Sequence, residues 1–302
     1  MDSPRSRCVA PMDLSGMKQG AAVSPIGPVS WVQRVGASTA GAWLAALLFI
    51  ALPFVAANIG TRLFMPDESL KEWRNLIKAL VLVAGYWTYV RCWERRSVRE
   101  LSASGAGVEF LAGLLLGGLL FSCVVAMLSA LGAYSLEAVG TFGDLRAVLV
   151  SMVPRIAAGA LIEEVLFRLV LLRLLERSFG IAGALLISSL VFGLAHLGNA
   201  GATPWIAVLL GLELGLLFGA AYLLTRRIWM CTALHFAWNF VQGAVFSIAV
   251  SGQSGESWLH GTLTGPVWLS GGAFGAEGSV VAVVLCLAMT GVLLMLAHRR
   301  KP

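Results

Sequence analysis

Charge is what this chain has least of. Of 302 residues only 13% are Asp, Glu, Lys or Arg, against roughly 25% in an ordinary soluble domain. The hydrophobic set makes up 58%, and the mean hydropathy is +0.83. A single water-soluble globule is thereby excluded. The cysteines, at 8, 92, 123, 231 and 286, show no Cys-x-x-Cys spacing. Neither a disulfide framework nor a zinc ribbon is implied. No His-Glu-x-x-His occurs, which speaks against a zincin helix, and the absence of an internal repeat removes the inverted-repeat signature of many transporters. Lys+Arg 22 against Asp+Glu 16 leaves a formal +6, but the basic residues stand in short clusters between apolar runs. They read as topology signals and not as a nucleic-acid surface.

What is there in quantity is apolar sequence. A helix needs about 20 apolar residues to cross the hydrocarbon core, because lipid tolerates no unpaired backbone groups. About eight stretches are expected to do so: Ser38–Gly60, Asn75–Cys92, Val108–Leu131, Ala147–Leu172, Gly183–Leu197, Trp205–Leu224, Trp229–Val250 and Ser279–Ala297. The fold class expected is all-α, a polytopic membrane protein. Basic residues precede the first stretch (Arg5, Arg7, Lys18, Arg34) and follow the second (Arg95, Arg96, Arg99). They also follow the fourth (Arg173, Arg177), the sixth (Arg226, Arg227) and the last (Arg299, Arg300, Lys301). The alternate connections are poorer in them, and in the first of these Asp67, Glu68 and Glu72 offset Arg62, Lys71 and Arg74. An even number of spans with both termini cytoplasmic satisfies this pattern.

The chain divides accordingly. Residues 1–37 are a polar cytoplasmic segment expected to be flexible, 38–145 the N-terminal helices, and 146–250 the core that carries the chemistry. Residues 251–278 form a Gly-rich outer loop long enough to fold over the outer face, and 279–302 the last helix with its basic end. In the loop, Glu256, His260 and Glu277 read as solvated residues. Trp205 and Trp229 read as interfacial belt residues.

The informative residues are the ionisable ones inside the spans, each costing several kcal/mol unless paired or facing a polar cavity. The fourth span holds Glu163, Glu164 and Arg168. Glu164 and Arg168 are i and i+4, within salt-bridge reach, while Glu163 points about 100° away and keeps no such partner. The fifth span carries Phe192 and His196, and the seventh carries His235 and Asn239 on one helical face. A carboxylate, two imidazoles and an amide from three helices make the inventory of a hydrolytic centre. Two chemistries fit. Glu163, His196 and His235 would hold a divalent metal, zinc above all, that lowers the pKa of bound water. Alternatively Glu163 and His196 act as general base on water while His235 and Asn239 donate to an oxyanion. Both stand at this point, the metal-free one with fewer assumptions. Glu213, in the sixth span, reads as a helix-packing partner, and Gly215 and Gly219 as a small-xxx-small pair.

Three motifs in order, Glu163-Glu164-x-x-x-Arg168, Phe192-x-x-x-His196 and His235-x-x-x-Asn239, resemble the CPBP family. This is the group of CAAX prenyl endopeptidases and bacteriocin-processing intramembrane proteases also called type II CAAX endopeptidase or ABI. The approach Thr225-Arg226-Arg227-Ile228-Trp229 and the segment 265–275 are similar to family members too, whereas the first three spans carry no such residue. The resemblance implies an intramembrane endopeptidase acting on a membrane-anchored peptide or protein, in the lipid bilayer of a bacterial inner membrane. It implies that Glu163 and His196 activate water, Glu164 and Arg168 orient the helix, and His235 and Asn239 hold the oxyanion. A non-catalytic scaffold or bacteriocin-immunity protein that keeps the site as structure is the rival reading. A transporter with Glu163 and Glu213 in a proton relay is a third.

Overall fold

The computed structural model describes residues 38–300. The expected N-terminal segment 1–37 and Lys301 lie outside the described residues. Within them the helices are α1 Thr39–Phe64, α2 Lys71–Thr88, prolonged by Tyr89–Trp93, and α3 Ala106–Ala130. Next come α4 (142–179) and α5 (181–194), which would be one rod but for Gly180 at φ 65, ψ 179, a conformation that only a residue without Cβ adopts freely. Then follow α6 Pro204–Thr225, α7 Ile228–Asn239 with its continuation Phe240–Val245, and α8 Val280–Arg299.

Among the described residues five helical runs are long and apolar enough to cross a membrane: α1, α3, the broken run Phe142–Leu194, α6 and α8. The chain is an all-helical membrane protein. The two remaining expected spans are helical but less apolar: Lys78 and Arg91 lie in α2, and His235, Asn239 and Gln242 interrupt α7. Polar residues at those depths call for a protein or water environment in place of lipid.

Packing sets α6 and α7 at the centre. The most apolar window of α6 is 78% buried within the protein, against 28% for α1 and α8, so α6 is surrounded by other helices while α1 and α8 face lipid. α3 lies directly against α7, because a Cβ at Gly113 or Gly117 would collide with the carbonyl oxygens of Met230 and Leu234. At Gly215 a Cβ would stand 2.8 Å from Ser189 of α5, so the expected small-residue contact is a crossing of α5 and α6.

The two ends of the bundle differ. At one, Glu94 gathers Arg96 (2.9 Å), Arg173 (2.8 Å) and Arg177. Arg226 pairs with Glu176, Arg227 with Glu109, and Trp229 Nε1 donates to Ser102 O at 2.7 Å. The basic clusters expected to share one side therefore meet. At the other end lies a small sheet that no sequence pattern announces: β1 Tyr134–Val139 runs antiparallel to β2 Leu259–Leu263, with an irregularity between Leu136 and Ala138. It ties the α3–α4 connection to the 251–278 loop, helped by Trp258 Nε1 donating to Gly140 O at 3.1 Å.

Gly117→Val is expected to lower the melting temperature in detergent by roughly 3 to 9 °C through overpacking of α3 on α7. Gly118→Val, whose Cβ would make only a 3.7 Å contact with Val241, should leave it unchanged. A second measurement addresses the arginine end. Burial alone would raise the Glu94 pKa, but Arg173, Arg96 and Arg177 outweigh it and hold the carboxyl below its ordinary 4.5. A depressed folded value gives stability that is present above pH 4.5 and lost as pH falls through that value. Glu94→Gln should lower the melting temperature by about 3 °C at pH 7 and flatten its fall below pH 5.

Candidate active site

α4 presents Glu163 and Glu164 at the end of its regular turns. From Val165 to Leu172 it loosens into wider π-type turns, a local unwinding frequent at functional sites. The Arg168 Nε lies 3.1 Å from Glu164 Oε2 and both side chains are buried. This is the expected i, i+4 pair. It is also half of a larger arrangement, since Glu164 Oε1 accepts from His235 Nδ1 at 2.8 Å and so joins α4 to α7. Arg168 Nη2 donates to the carbonyls of Leu214 (3.4 Å) and Gly215 (3.2 Å) on α6. Its guanidinium sits 4.8 Å from the Phe192 ring and 5.3 Å from Phe218. Phe218 in turn stacks on His235 at 4.4 Å. Phe218 carries no motif and was not anticipated; an aromatic in an apolar run gives no signal of its own.

Glu163 turns to the other side, as the helix geometry requires. Its Oε2 is 3.8 Å from His196 Nε2 and 3.8 Å from His235 Nε2, and that buried oxygen has no hydrogen-bond partner. The helix expected to carry His196 through Leu197 ends at Leu194. His196 lies in the turn beyond, its Nδ1 2.8 Å from the Phe192 carbonyl oxygen. The carbonyl can only accept, so Nδ1 carries the proton and Nε2 presents a lone pair to Glu163. His196 is thus a helix-end residue that closes the orphan carbonyl of Phe192, which joins the two motif positions directly. Asn239 stands one turn along α7 from His235. Glu163, His196, His235 and Asn239 all line one cavity of about 470 Å³, to which α2 contributes Lys71 and Asn75.

The outer loop supplies one correction. Glu277, expected to be solvated, is buried at 1% exposure and lines the same cavity. Its carboxylate accepts from Ser251 N at 2.7 Å and Ser251 Oγ at 2.8 Å, and from Trp238 Nε1 at 3.4 Å. Burial raises its pKa above the ordinary carboxylate value, with the Ser251 hydrogen bonds opposing. The loop folds back because these donors replace water around the charge; nothing in a Gly-rich stretch announces that. Glu256 and His260 are exposed as expected, Glu256 accepting from Ser151 Oγ at 2.9 Å. Glu213 is fully buried, with Cys286 Sγ of α8 at 4.0 Å from its Oε1, a contact between helices. Trp205 is 68% exposed at the start of α6.

Among the described residues no group of three or more His, Cys, Asp or Glu side chains is arranged to hold a metal ion. The Glu163, His196 and His235 donors have the right chemistry and a carbonyl and a carboxylate behind the imidazoles, but as placed they do not form a ligand cage.

Residues 145–241 match the family described as Type II CAAX prenyl endopeptidase Rce1-like. The chain carries a Rce1-like domain. All seven motif residues fall inside the matched segment, which runs from the first turns of α4 to just past Asn239. The matched family is one of endopeptidases, which implies a hydrolase for residues 145–241. No curated protein and no solved structure matches the chain.

The two neighbouring glutamates should separate cleanly on substitution. Arg168→Ala leaves Glu164 buried without its cation and should cost about 3 to 5 kcal/mol, seen as loss of folded protein in detergent. Glu163→Gln faces the cavity and should leave the melting temperature within about 2 °C.

Proposed function

We propose that the protein is an intramembrane endopeptidase that hydrolyses a peptide bond of a membrane-anchored peptide or protein by metal-free general-base catalysis. The observation that carries this is the Glu163 carboxylate, its buried oxygen 3.8 Å from each of two imidazole nitrogens on the wall of one cavity. A gap of that size is bridged by one water.

Glu163 takes a proton from this water as its oxygen attacks the carbonyl carbon. His196 accepts the water's second hydrogen at Nε2 and fixes its direction. The oxyanion of the tetrahedral intermediate is met by the Asn239 amide and by His235, whose Nε2 donates when the ring is imidazolium. Glu163 then returns its proton to the leaving amine as the C–N bond breaks, which restores the carboxylate. Arg168 compensates Glu164, so the charge that orients His235 is itself held in place. The substrate belongs to the class handled in CAAX-type processing, a chain terminus anchored at the bilayer. We read the membrane as a bacterial inner membrane, with the arginine-rich end of the bundle in the cytoplasm.

Purified protein in lipid nanodiscs should cleave at least one member of a panel of prenylated and helix-anchored peptides. Glu163→Gln should reduce the rate by about 10³-fold or more and Asn239→Ala by about 10²- to 10³-fold. Thorough chelation should leave it unchanged. Loss on chelation restored by zinc would replace the general-base account, and cleavage by Glu163→Gln at the wild-type rate would end it.

A further inference from the structure

The cavity lies toward one end of the bundle. Along α4 its lining runs from Glu163 back through Gly159 and Arg155 to Met152, away from Arg173 and toward the helix start at Phe142. On α2 it takes Lys71 and Asn75, in the opening turns of that helix. Its rim is completed by Gln253 and Ser254, both exposed, from the loop between α7 and α8. No lining residue comes from the arginine-bearing ends of α2, α4, α6 or α8. At about 1.5 Å per residue, Glu163 lies roughly 15 Å from Arg173, half of a hydrocarbon core about 30 Å thick. The reacting centre is therefore near mid-membrane, and its opening is on the far side from the arginines.

Lysine and arginine near helix ends mark the side that stays in the cytoplasm. Three connections at the cavity end, 131–141, 195–203 and 246–279, contain neither. The fourth, between α1 and α2, is flanked by Arg62, Lys71 and Arg74. Arg74 is spent internally, on Glu68 (2.8 Å) and on the carbonyls of Met65 and Asp67 (2.9 Å each). At the opposite end every connection, or the helix end that runs into it, carries arginine. Arginine is concentrated at that opposite end, while the cavity end keeps Arg62, Lys71 and Arg146.

We propose that the cavity mouth faces away from the cytoplasm and that the substrate is a membrane-anchored protein whose scissile bond lies in the extracytoplasmic half of the bilayer. The enzyme then acts on anchored chains that are reached from the extracytoplasmic side. The substrate half of this rests on the protease reading; the orientation half does not.

The test starts in spheroplasts of a bacterial expression host, with Cys8, Cys92 and Cys123 replaced by Ser and the buried Cys231 and Cys286 retained. A membrane-impermeant maleimide should label Ser254→Cys, and Glu256→Cys in the same loop, at least ten-fold more than Arg300→Cys, and permeabilisation should remove the difference. Preferential labelling of Arg300→Cys, or equal labelling of both ends before permeabilisation, would overturn the orientation. In the same cells, two single-span reporters place one apolar cleavage segment in the outer or the inner half of the bilayer. Cleavage at least ten-fold faster for the outer placement supports the substrate assignment, and faster cleavage of the inner one overturns it. Outward labelling with neither reporter cut would remove the protease reading, and the substrate half with it, while the orientation stood.

Discussion

A single buried ionic arrangement organises this molecule. Glu164 is held between Arg168 of its own helix and His235 of α7, while Arg168 reaches the backbone of α6 and rests on the rings of Phe192 and Phe218. Charges at this depth are tolerated only when their partners are complete. The pair therefore makes demands on α4, α5, α6 and α7 together. Satisfying those demands aims Nε2 of His235 at the cavity and leaves Glu163, the adjacent residue, facing inward with its carboxylate uncommitted. The paired and the cavity-facing glutamate are adjacent in sequence because a 100° step on one helix assigns them to different surroundings.

Much of this was legible beforehand, and the reasons are physical. Ionisable groups inside apolar runs are costly enough that their presence alone marks the site, and helical periodicity alone told Glu163 from Glu164. Helix ends were less legible. His196 fell past the end of α5 because a terminal carbonyl can be capped by a ring as well as by another turn, and hydrophobicity does not register the difference. Glu277 was misread as solvated because its burial depends on donors from Ser251 and Trp238, which no local pattern links to it. The β1–β2 pairing joins segments more than a hundred residues apart and is equally invisible to periodicity.

Hydropathy also fails in an instructive direction. α6 and α1 have nearly the same hydropathy, 2.1 and 2.2, yet the first is enclosed by protein and the second faces lipid. Acyl chains and apolar side chains are alike as solvents, so the scale cannot separate them. The helices that fall short on that scale are α2 and α7, and in α7 it is His235, Asn239 and Gln242 that make the helix too polar for lipid. A weak hydropathy signal there belongs to a helix that needs protein around it.

The Glu277 carboxylate has a mechanical consequence. It fastens the start and the finish of the 27-residue stretch Ser251–Glu277 at one point, like the hasp of a lid, and the same point touches Trp238, the residue just before Asn239. Any chain that pries the lid upward pulls on the helix bearing Asn239. On the proposed mechanism, entry of a substrate beneath the loop and the placing of the Asn239 amide are thereby geared to each other.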